Sequence, residues 1–284
     1  MIATALPDLQ ALPSTGPLFL KAAMSARRKP GKVPVIPANT VTLKGLRFDA
    51  AHLAAYNAVC QLPAYSLALT YPQVLAAPLH LHVMTQPNFP LPLLGVVHLR
   101  NRIEQHAPLA RDAAYDVRVQ IGDSRATHQG IEVELLTDYL LDGTPVWSAV
   151  TTVLHRIKSK QTGHRPSPPA ASVASYVPFS VPADVGRRYA PIAQDYNPIH
   201  MTAVTARLFG FPRAIAHGMW SAARCLGILM PEFVRTPTLF ELQFKQPLLL
   251  PARVTLKHQT AAGGIDFELL AREGGKTHFS GRLA

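Results

Sequence analysis

The sequence predicts an α+β fold in which two antiparallel sheets, each wrapped around one long apolar helix, are joined edge to edge. Three observations support this fold. Similar segments recur in the two halves of the chain, each half has one long apolar helical stretch, and strand-like alternation follows each helix. At 284 residues the chain is long enough for two domains that each bury a hydrophobic core.

Two pairs of matching segments indicate an internal duplication. Gly130–Leu136 (GIEVELL) is similar to Gly264–Leu270 (GIDFELL), and Tyr56–Gln61 (YNAVCQ) aligns with Tyr189–Gln194 (YAPIAQ). Both pairs occur in the same order and at nearly the same offset, as expected when a domain has been duplicated. The unpaired edge strand of each sheet favours joining the two sheets along that edge.

A linker is predicted between the two halves. Residues 159–175 show no periodicity and are rich in Pro, Ser and Ala. The chain therefore divides into an N-terminal domain, 1–158, which includes an extended N-terminal segment, and a C-terminal domain, 176–284.

In the first half, the apolar stretch Pro72–Met84 predicts the central helix. The strands that follow are predicted near Val96–Ile103, Tyr115–Ile121, Ile131–Leu140 and Val146–Ile157. Asp142-Gly143 is a strong signal for a hairpin turn between the last two of them.

In the second half, a helix is predicted from His217 to about Met230, because apolar residues recur there at helical spacing. The residues on its predicted face are Met219, Ala223, Leu226 and Met230. The strands are indicated by alternating apolar residues at Phe240/Leu242/Phe244, Val254/Leu256 and Phe267/Leu269, with turns at Gly263-Gly264 and Gly274-Gly275.

Charge and composition exclude several classes of protein. The formal charge is +11, but the basic residues are scattered and no aromatic-plus-Arg motif for nucleic acid occurs. A positive surface suits a phosphorylated small molecule or an acidic carrier protein, and a generic solvated surface explains it equally well. No apolar run reaches the roughly 18 residues of a membrane span, and the N-terminus lacks the pattern of a secretory signal. Cys60 and Cys225 are expected to be free and buried, so a reducing, cytoplasmic location is predicted.

The segment Asp195–His200 (DYNPIH) carries the candidate chemistry. Pro198 fixes its own φ and disfavours helix at Asn197, so a turn is expected. A carboxylate and an imidazole on one tight turn can hold a single water, remove one of its protons and supply another. Gly218 stands at the predicted start of the second helix, where free N–H groups and the absent Cβ allow a carbonyl oxygen to approach. Such a donor stabilises an oxyanion.

These residues resemble the signature of the MaoC-like R-specific enoyl-CoA hydratases, the hydratase 2 group with the hotdog fold. The matching positions are Tyr189, Asp195–His200, Ala206, Gly210-Phe211, Ala216–Met219 and Phe244–Pro251, within a likeness that covers residues 176–284. In this chain Ala193-Gln194 stands where the family usually has Ser-Gly. The resemblance implies a double-hotdog fold with the active site in the C-terminal domain.

The resemblance also implies roles for individual residues. Asp195 and His200 would hold the catalytic water, and the Gly218 N–H would bind the thioester oxygen. Asn197 would support the turn or the Asp–His pair, and His217 is assigned to substrate binding. Trp220 would line the acyl tunnel or, alternatively, serve packing alone.

The first half resembles the degenerate partner domain of two-hotdog members of this family. At the repeat offset, Leu62 takes the place of Asp195 and Leu67 the place of His200. Apolar side chains cannot polarise water, so one active site per chain is expected. The first half would complete the sheet and shape the acyl pocket, where the altered helix region Tyr71–Met84 leaves room for a bulky or long tail; a role in covering an interface is the alternative.

The predicted function is reversible hydration of trans-2-enoyl thioesters of coenzyme A to R-3-hydroxyacyl thioesters, or the reverse dehydration. Two alternatives stay open. One is a non-catalytic acyl-thioester binding or assembly subunit, which Ala193-Gln194 favours; the other is an acyl-carrier-protein-dependent dehydratase of fatty-acid or polyketide synthesis. No cofactor is expected, since coenzyme A or a pantetheine arm is only the substrate's handle. The expected partner is an acyl-CoA or acyl-carrier-protein thioester, without nucleic acid or membrane, and assembly as a homodimer is an open alternative.

A metal site is not expected. His80, His82, His98 and His106 have ligand side chains, but positions i and i+2 of a helix face different directions and no Cys or carboxylate set joins them. The sequence also lacks a Gly-rich phosphate loop and a Gly-x-Ser-x-Gly elbow, so nucleotide binding and serine hydrolysis are not supported.

Overall fold

The computed structural model of the protein describes residues 3–29, 34–156, 174–233, 236–272 and 276–284. The helices in these ranges are α1 (Thr15–Met24), α2 (Ala50–Cys60), α3 (Tyr71–Met84), α4 (Val185–Ala193), α5 (Ala203–Arg207) and α6 (Gly218–Leu229). The strands are β1 (Ala3–Ala5), β2 (Ala38–Arg47), β3 (Val96–Gln105), β4 (Ala114–Thr127), β5 (Gly130–Leu141), β6 (Thr144–Arg156), β7 (Ser175–Val181), β8 (Leu239–Phe244), β9 (Ala252–Ala261), β10 (Gly264–Ala271) and β11 (Thr277–Leu283).

All of these strands form one sheet in the order β1-β2-β4-β5-β6-β3-β8-β11-β10-β9-β7. Neighbours are antiparallel except for β1 and β2. The halves of the chain meet where β3 pairs with β8, with Arg100 opposite Gln243 and Glu104 opposite Leu239. The edge-to-edge junction predicted from the repeat is therefore confirmed.

Each half of the sheet is covered by its own apolar helix. In the first half α3 packs against β2, β4 and β5. In the second half α6 is buried on several sides, and its Ala222, Cys225 and Leu226 are fully inaccessible. Both helices belong to one hydrophobic core that is continuous across the two halves. The double-hotdog architecture is confirmed.

Most predicted elements are found within a few residues of their expected positions. Helix α3 begins at Tyr71, one residue early, and α6 begins at Gly218 rather than His217. Asp142 and Gly143 form the expected hairpin turn with φ of 49° and 79°. The predicted linker falls on residues outside the described ranges except for its last two, and strand β7 begins at Ser175. The predicted Gly274-Gly275 turn also lies outside them.

The duplication is visible in the backbone of α2 and α4. Each helix ends in a glutamine with a left-handed conformation: Gln61 has φ of 54° and Gln194 has φ of 49°. The next residue then bonds back to its helix in the same way. The Leu62 N–H donates to Asn57 O at 2.8 Å, and the Asp195 N–H donates to Ala190 O at 3.1 Å. The two halves therefore build the same turn at the repeat offset.

Helices α2 and α4 lie in contact, and each receives a cap from a side chain of the other half. Trp220 Nε1 donates to Val59 O at 2.9 Å, and His52 Nε2 donates to Ile192 O at 2.9 Å. Val59 O needs this donor because Pro63, four residues further on, has no N–H. These two bonds fasten the halves together next to the predicted site.

Two further predictions concern the cysteines and the membrane. Cys60 and Cys225 are free and buried, as expected. Among the helices of the described ranges, none is long and apolar enough to cross a membrane.

Candidate active site

The turn after α4 fixes the Asp195 carboxylate. The Asn197 N–H donates to Asp195 Oδ1 at 3.1 Å, and Asn197 Oδ1 accepts from the Ile199 N–H at 3.4 Å. A single turn of 3₁₀ helix, Pro198–His200, follows. Because both side-chain bonds are local, the turn itself orients the carboxylate. The Asp195 side chain remains 39% exposed, so a substrate can reach it.

His200 faces this carboxylate from the end of the turn. Its Nδ1–H donates to Ile215 O at 2.9 Å, which leaves Nε2 as the acceptor atom. Nε2 lies 3.9 Å from Asp195 Oδ2. That distance is too long for a direct hydrogen bond, but both atoms can bond to one water oxygen. Burial lowers the pKa of His200, against the opposing effect of Asp195, so the ring is neutral near neutral pH.

His217 holds the pair together. Its Nε2–H donates to the backbone oxygen of Asp195 at 3.0 Å, and its ring stacks on the His200 ring with centroids 3.7 Å apart. Burial and the neighbouring His200 lower the pKa of His217 to about 3. At 4% exposure the neutral ring is buried against Asp195 and His200, and its predicted role in substrate binding stays a prediction.

Gly218 opens α6 directly after His217. The His217 side chain does not cap this helix, so the first N–H groups point free from the helix start. A Cβ on Gly218 would lie 2.9 Å from Phe244 Cε1, closer than side-chain carbons pack. Glycine is therefore the residue that lets the helix start approach Phe244 while its N–H stays accessible. Because His217 contacts both Asp195 and His200, Gly218 follows directly after a residue that packs on the acid–base pair.

Three contributors to the site were missed in the sequence. Ile215 supplies the carbonyl that orients His200, and Phe244 packs over Gly218. Gly186, in the first turn of α4, allows the His200 carbonyl to approach, because a Cβ there would lie 2.1 Å from that oxygen. A glycine inside a helix costs stability, and this signal could have pointed to a close backbone contact.

Trp220 is not brought into this cluster. Its side chain is 2% exposed and its Nε1 bonds to Val59 O of α2, which favours the packing alternative over lining a tunnel. In the first half, Leu62 is buried and Leu67 packs against the core at the positions of the acid–base pair. That turn therefore presents apolar groups where the second half presents polar ones.

Asp195, His200 and His217 are also the described residues that could best hold a metal, since their ligand atoms lie within 4.8 Å of one another. The geometry does not favour it. The two imidazoles are stacked, and His217 Nε2 already donates to a carbonyl, whereas metal ligands direct lone pairs at one point. Of the other histidines considered, His80 is bonded to Thr137 and His98 to Arg100 O.

Comparisons with known proteins identify similar sequences and similar structures. The family model described as MaoC like domain matches residues 162–276. The 3-hydroxyacyl-thioester dehydratase X of Mycobacterium tuberculosis is 35% identical over 270 residues, which cover 92% of this chain and 95% of that protein. A crystal structure of HtdX from the same organism has a TM-score of 0.74 at 34% identity and covers 86% of this chain and 98% of its own. A MaoC-like dehydratase from Phytophthora capsici shares the fold, with a TM-score of 0.68 at 17% identity over 87% of this chain and 95% of its own.

Proposed function

The chain belongs to the MaoC-like dehydratase family, and we propose that it interconverts 3-hydroxyacyl thioesters and trans-2-enoyl thioesters of coenzyme A, with R configuration at C3. The observation that carries this proposal is the accessible Asp195 carboxylate 3.9 Å from the free Nε2 of His200. The 3-hydroxyacyl-thioester dehydratase X of Mycobacterium tuberculosis, which matches nearly the full length of both chains, supports this reaction class.

The first step of the mechanism is polarisation of the thioester. The substrate carbonyl oxygen accepts from the Gly218 N–H, at the positive end of the α6 dipole. Negative charge develops on this oxygen when C3 is attacked, so the donor stabilises the transition state more than the ground state. One donor of this kind contributes about 3–4 kcal/mol to lowering the barrier.

The second step is addition of water. A water oxygen held between Asp195 and His200 bonds to C3 while one of its protons passes to this pair. The same pair returns that proton to C2, so the hydroxyl adds to C3 and hydrogen adds to C2 on one face of the double bond. General acid–base catalysis contributes about 10²–10⁴-fold. The dehydration follows the same path in reverse, and the fixed face explains the single configuration at C3.

The family's usual Ser-Gly before the aspartate is replaced without loss of the turn. Gln194 adopts the left-handed conformation that glycine takes easily, with φ of 49°. Asp195 keeps its bonds to Ala190 O and Asn197. This supports catalysis over the non-catalytic binding alternative.

The decisive experiment follows the absorbance of the enone band of crotonyl-CoA. Wild-type protein is expected to hydrate it, and Asp195→Asn and His200→Gln to lose at least a hundredfold in kcat with circular dichroism unchanged. Asp138→Asn and His106→Gln are matched controls, because these residues lie on the sheet away from the site and bond to Ser148. Chiral analysis of the product tests the R configuration. Inactivity of folded wild-type protein on every enoyl thioester would favour a binding subunit.

A further inference from the structure

Polar side chains are buried in the first half between α3 and the sheet, where apolar residues would be expected. They are Gln73, His80, Asn101, Thr137 and Thr151, each between 1% and 7% exposed. Buried polar groups persist where hydrogen bonds compensate for lost hydration. His80 satisfies this condition, because its Nε2 bonds to Thr137 Oγ1 at 2.7 Å.

Two amides in this cluster have a buried oxygen without a hydrogen-bond donor. Gln73 Nε2 and Asn101 Nδ2 both donate to Thr151 Oγ1, at 2.9 and 2.8 Å. Among the described residues, Gln73 Oε1 and Asn101 Oδ1 have no donor. A hydroxyl has one hydrogen, so at least one amide must donate to Thr151 and keep its oxygen free, whichever way the amides are turned. The cluster therefore offers a buried acceptor that no described residue pairs with.

Short contacts connect this cluster to the oxyanion donor. Asn101 Nδ2 lies 3.5 Å from His98 Nε2, and the His98 ring lies 4.9 Å from the Phe244 ring, measured between centroids. Phe244 is the residue that packs over Gly218. Asn101 also stands opposite Leu242 where β3 pairs with β8. The unpaired amide therefore lies at the β3–β8 junction, and His98 and Phe244 connect it to Gly218, where the thioester carbonyl would bind.

The surfaces between these points are partly open. Gly218, Met219, Phe244 and His98 all keep intermediate exposure although they lie on the inner side of the sheet or on the central helix. Burial nevertheless lowers the pKa of His98 to about 4. The His98 ring is therefore closely packed by its neighbours and still keeps an accessible part beside Phe244.

We propose that the acyl tail extends from Gly218 past Phe244 and His98, and that the preferred substrates carry a hydroxyl group on the tail that donates to the free oxygen of Gln73 or Asn101. This inference rests on the proposed function and adds the substrate class. A hydrocarbon tail would cover the amide oxygen without bonding to it, which a site with buried acceptors disfavours. A tail hydroxyl would complete the hydrogen bonding of the cluster.

The test compares trans-2-enoyl-CoA esters of six, eight and ten carbons with their ω-hydroxy counterparts. At one chain length kcat/KM is expected to be at least about tenfold higher for the hydroxy ester. Asn101→Leu combined with Gln73→Leu should bring that ratio to about one or below. Asn39→Leu is the matched control: Asn39 is a fully buried amide of the same half, but it is paired with Val83 O and Asn88, so the hydroxyl preference should persist.

Binding measurements distinguish a failure of this inference from a failure of the proposed function. Dissociation constants of both ester series are measured by calorimetry on Asp195→Asn, which holds the substrate without turning it over. Equal or weaker binding of every hydroxy ester, or hydration that favours the plain esters at all three lengths, overturns the inference and leaves the hydratase function intact. If no ester is hydrated, the proposed function is wrong. The ratio of the two dissociation constants then still shows whether the site prefers a tail with a hydroxyl group. If the leucine variants do not fold, the wild-type ratios decide alone.

Discussion

Gly218→Ala is the sharpest test of the main-chain oxyanion donor. The new Cβ would lie 2.9 Å from Phe244 Cε1 and 3.1 Å from Cζ. The Phe244 ring cannot yield freely, because it packs against Phe279 and His98 with centroids 5.6 and 4.9 Å away. The start of α6 must therefore shift by several tenths of an ångström, and its N–H moves with it.

The expected loss follows from this displacement. A well-placed donor contributes about 3–4 kcal/mol, and we expect a misplaced one to keep roughly half of it. A loss of about 1.5–2 kcal/mol corresponds to a decrease of roughly 10–30-fold in kcat. Thermal stability should change little, since the higher helix propensity of alanine, about 1 kcal/mol, offsets part of the clash.

The assay measures kcat and KM for crotonyl-CoA together with thermal unfolding. Gly227→Ala is the matched control on the same helix: its Cβ would meet Leu62 Cδ2 at 3.0 Å and Gln61 O at 3.3 Å, both in the first half and not in the acid–base pair. It should keep kcat within about twofold. A folded Gly218→Ala enzyme with wild-type kcat, or equal losses in both variants, would refute the oxyanion role.

Two predictions concern stability. Burial lowers the pKa of His80 and of His217 to about 3. Below about pH 6.5 the unfolded chain therefore binds more protons than the folded chain, so the free energy of unfolding is fully present above that pH and decreases below it. At pH 5 the decrease is about 2 kcal/mol for each of the two histidines. Urea unfolding at neutral pH and at pH 5 measures the decrease, which His80→Gln should reduce by about that amount; an unchanged pH dependence contradicts it. Trp220→Phe leaves Val59 O buried without a donor and should destabilise the protein by about 1–3 kcal/mol while KM for short and long acyl chains stays the same. A KM that changes with chain length would instead place Trp220 in the tunnel.

The elements with strong periodicity were predictable from the sequence. Helix α6 has apolar residues at helical steps, and the Asp142-Gly143 hairpin has a distinctive turn pair. Strand β7 was missed because Pro178 lies inside it, and proline argues against a strand. The structure resolves the conflict by placing β7 at the edge of the sheet, where one side needs no partner.

The site was predictable only where its residues are close in sequence. Asp195, Asn197 and His200 share one turn, so local rules bring them together. The Ile215 carbonyl and the cap from Trp220 to Val59 depend on contacts between distant segments, which hydrophobic patterns do not encode. The stacking of His217 on His200 is likewise a consequence of where α6 begins.

The two turns of the duplicated chain show which features of the site come from the shared backbone and which come from its side chains. Gln61 and Gln194 take the same left-handed conformation, and the residues after them bond back to their helices in the same way. The start of the turn is therefore the same in both halves, but the first residue after it differs: the Leu62 side chain is buried, whereas the Asp195 side chain is 39% exposed. Placing a carboxylate at Leu62 alone would bury an unpaired charge and destabilise the fold, because Leu67 stands at the position of His200 and cannot pair with it. The proposed chemistry therefore needs the carboxylate and the imidazole together, and in the first half the buried polar groups lie beneath α3 instead.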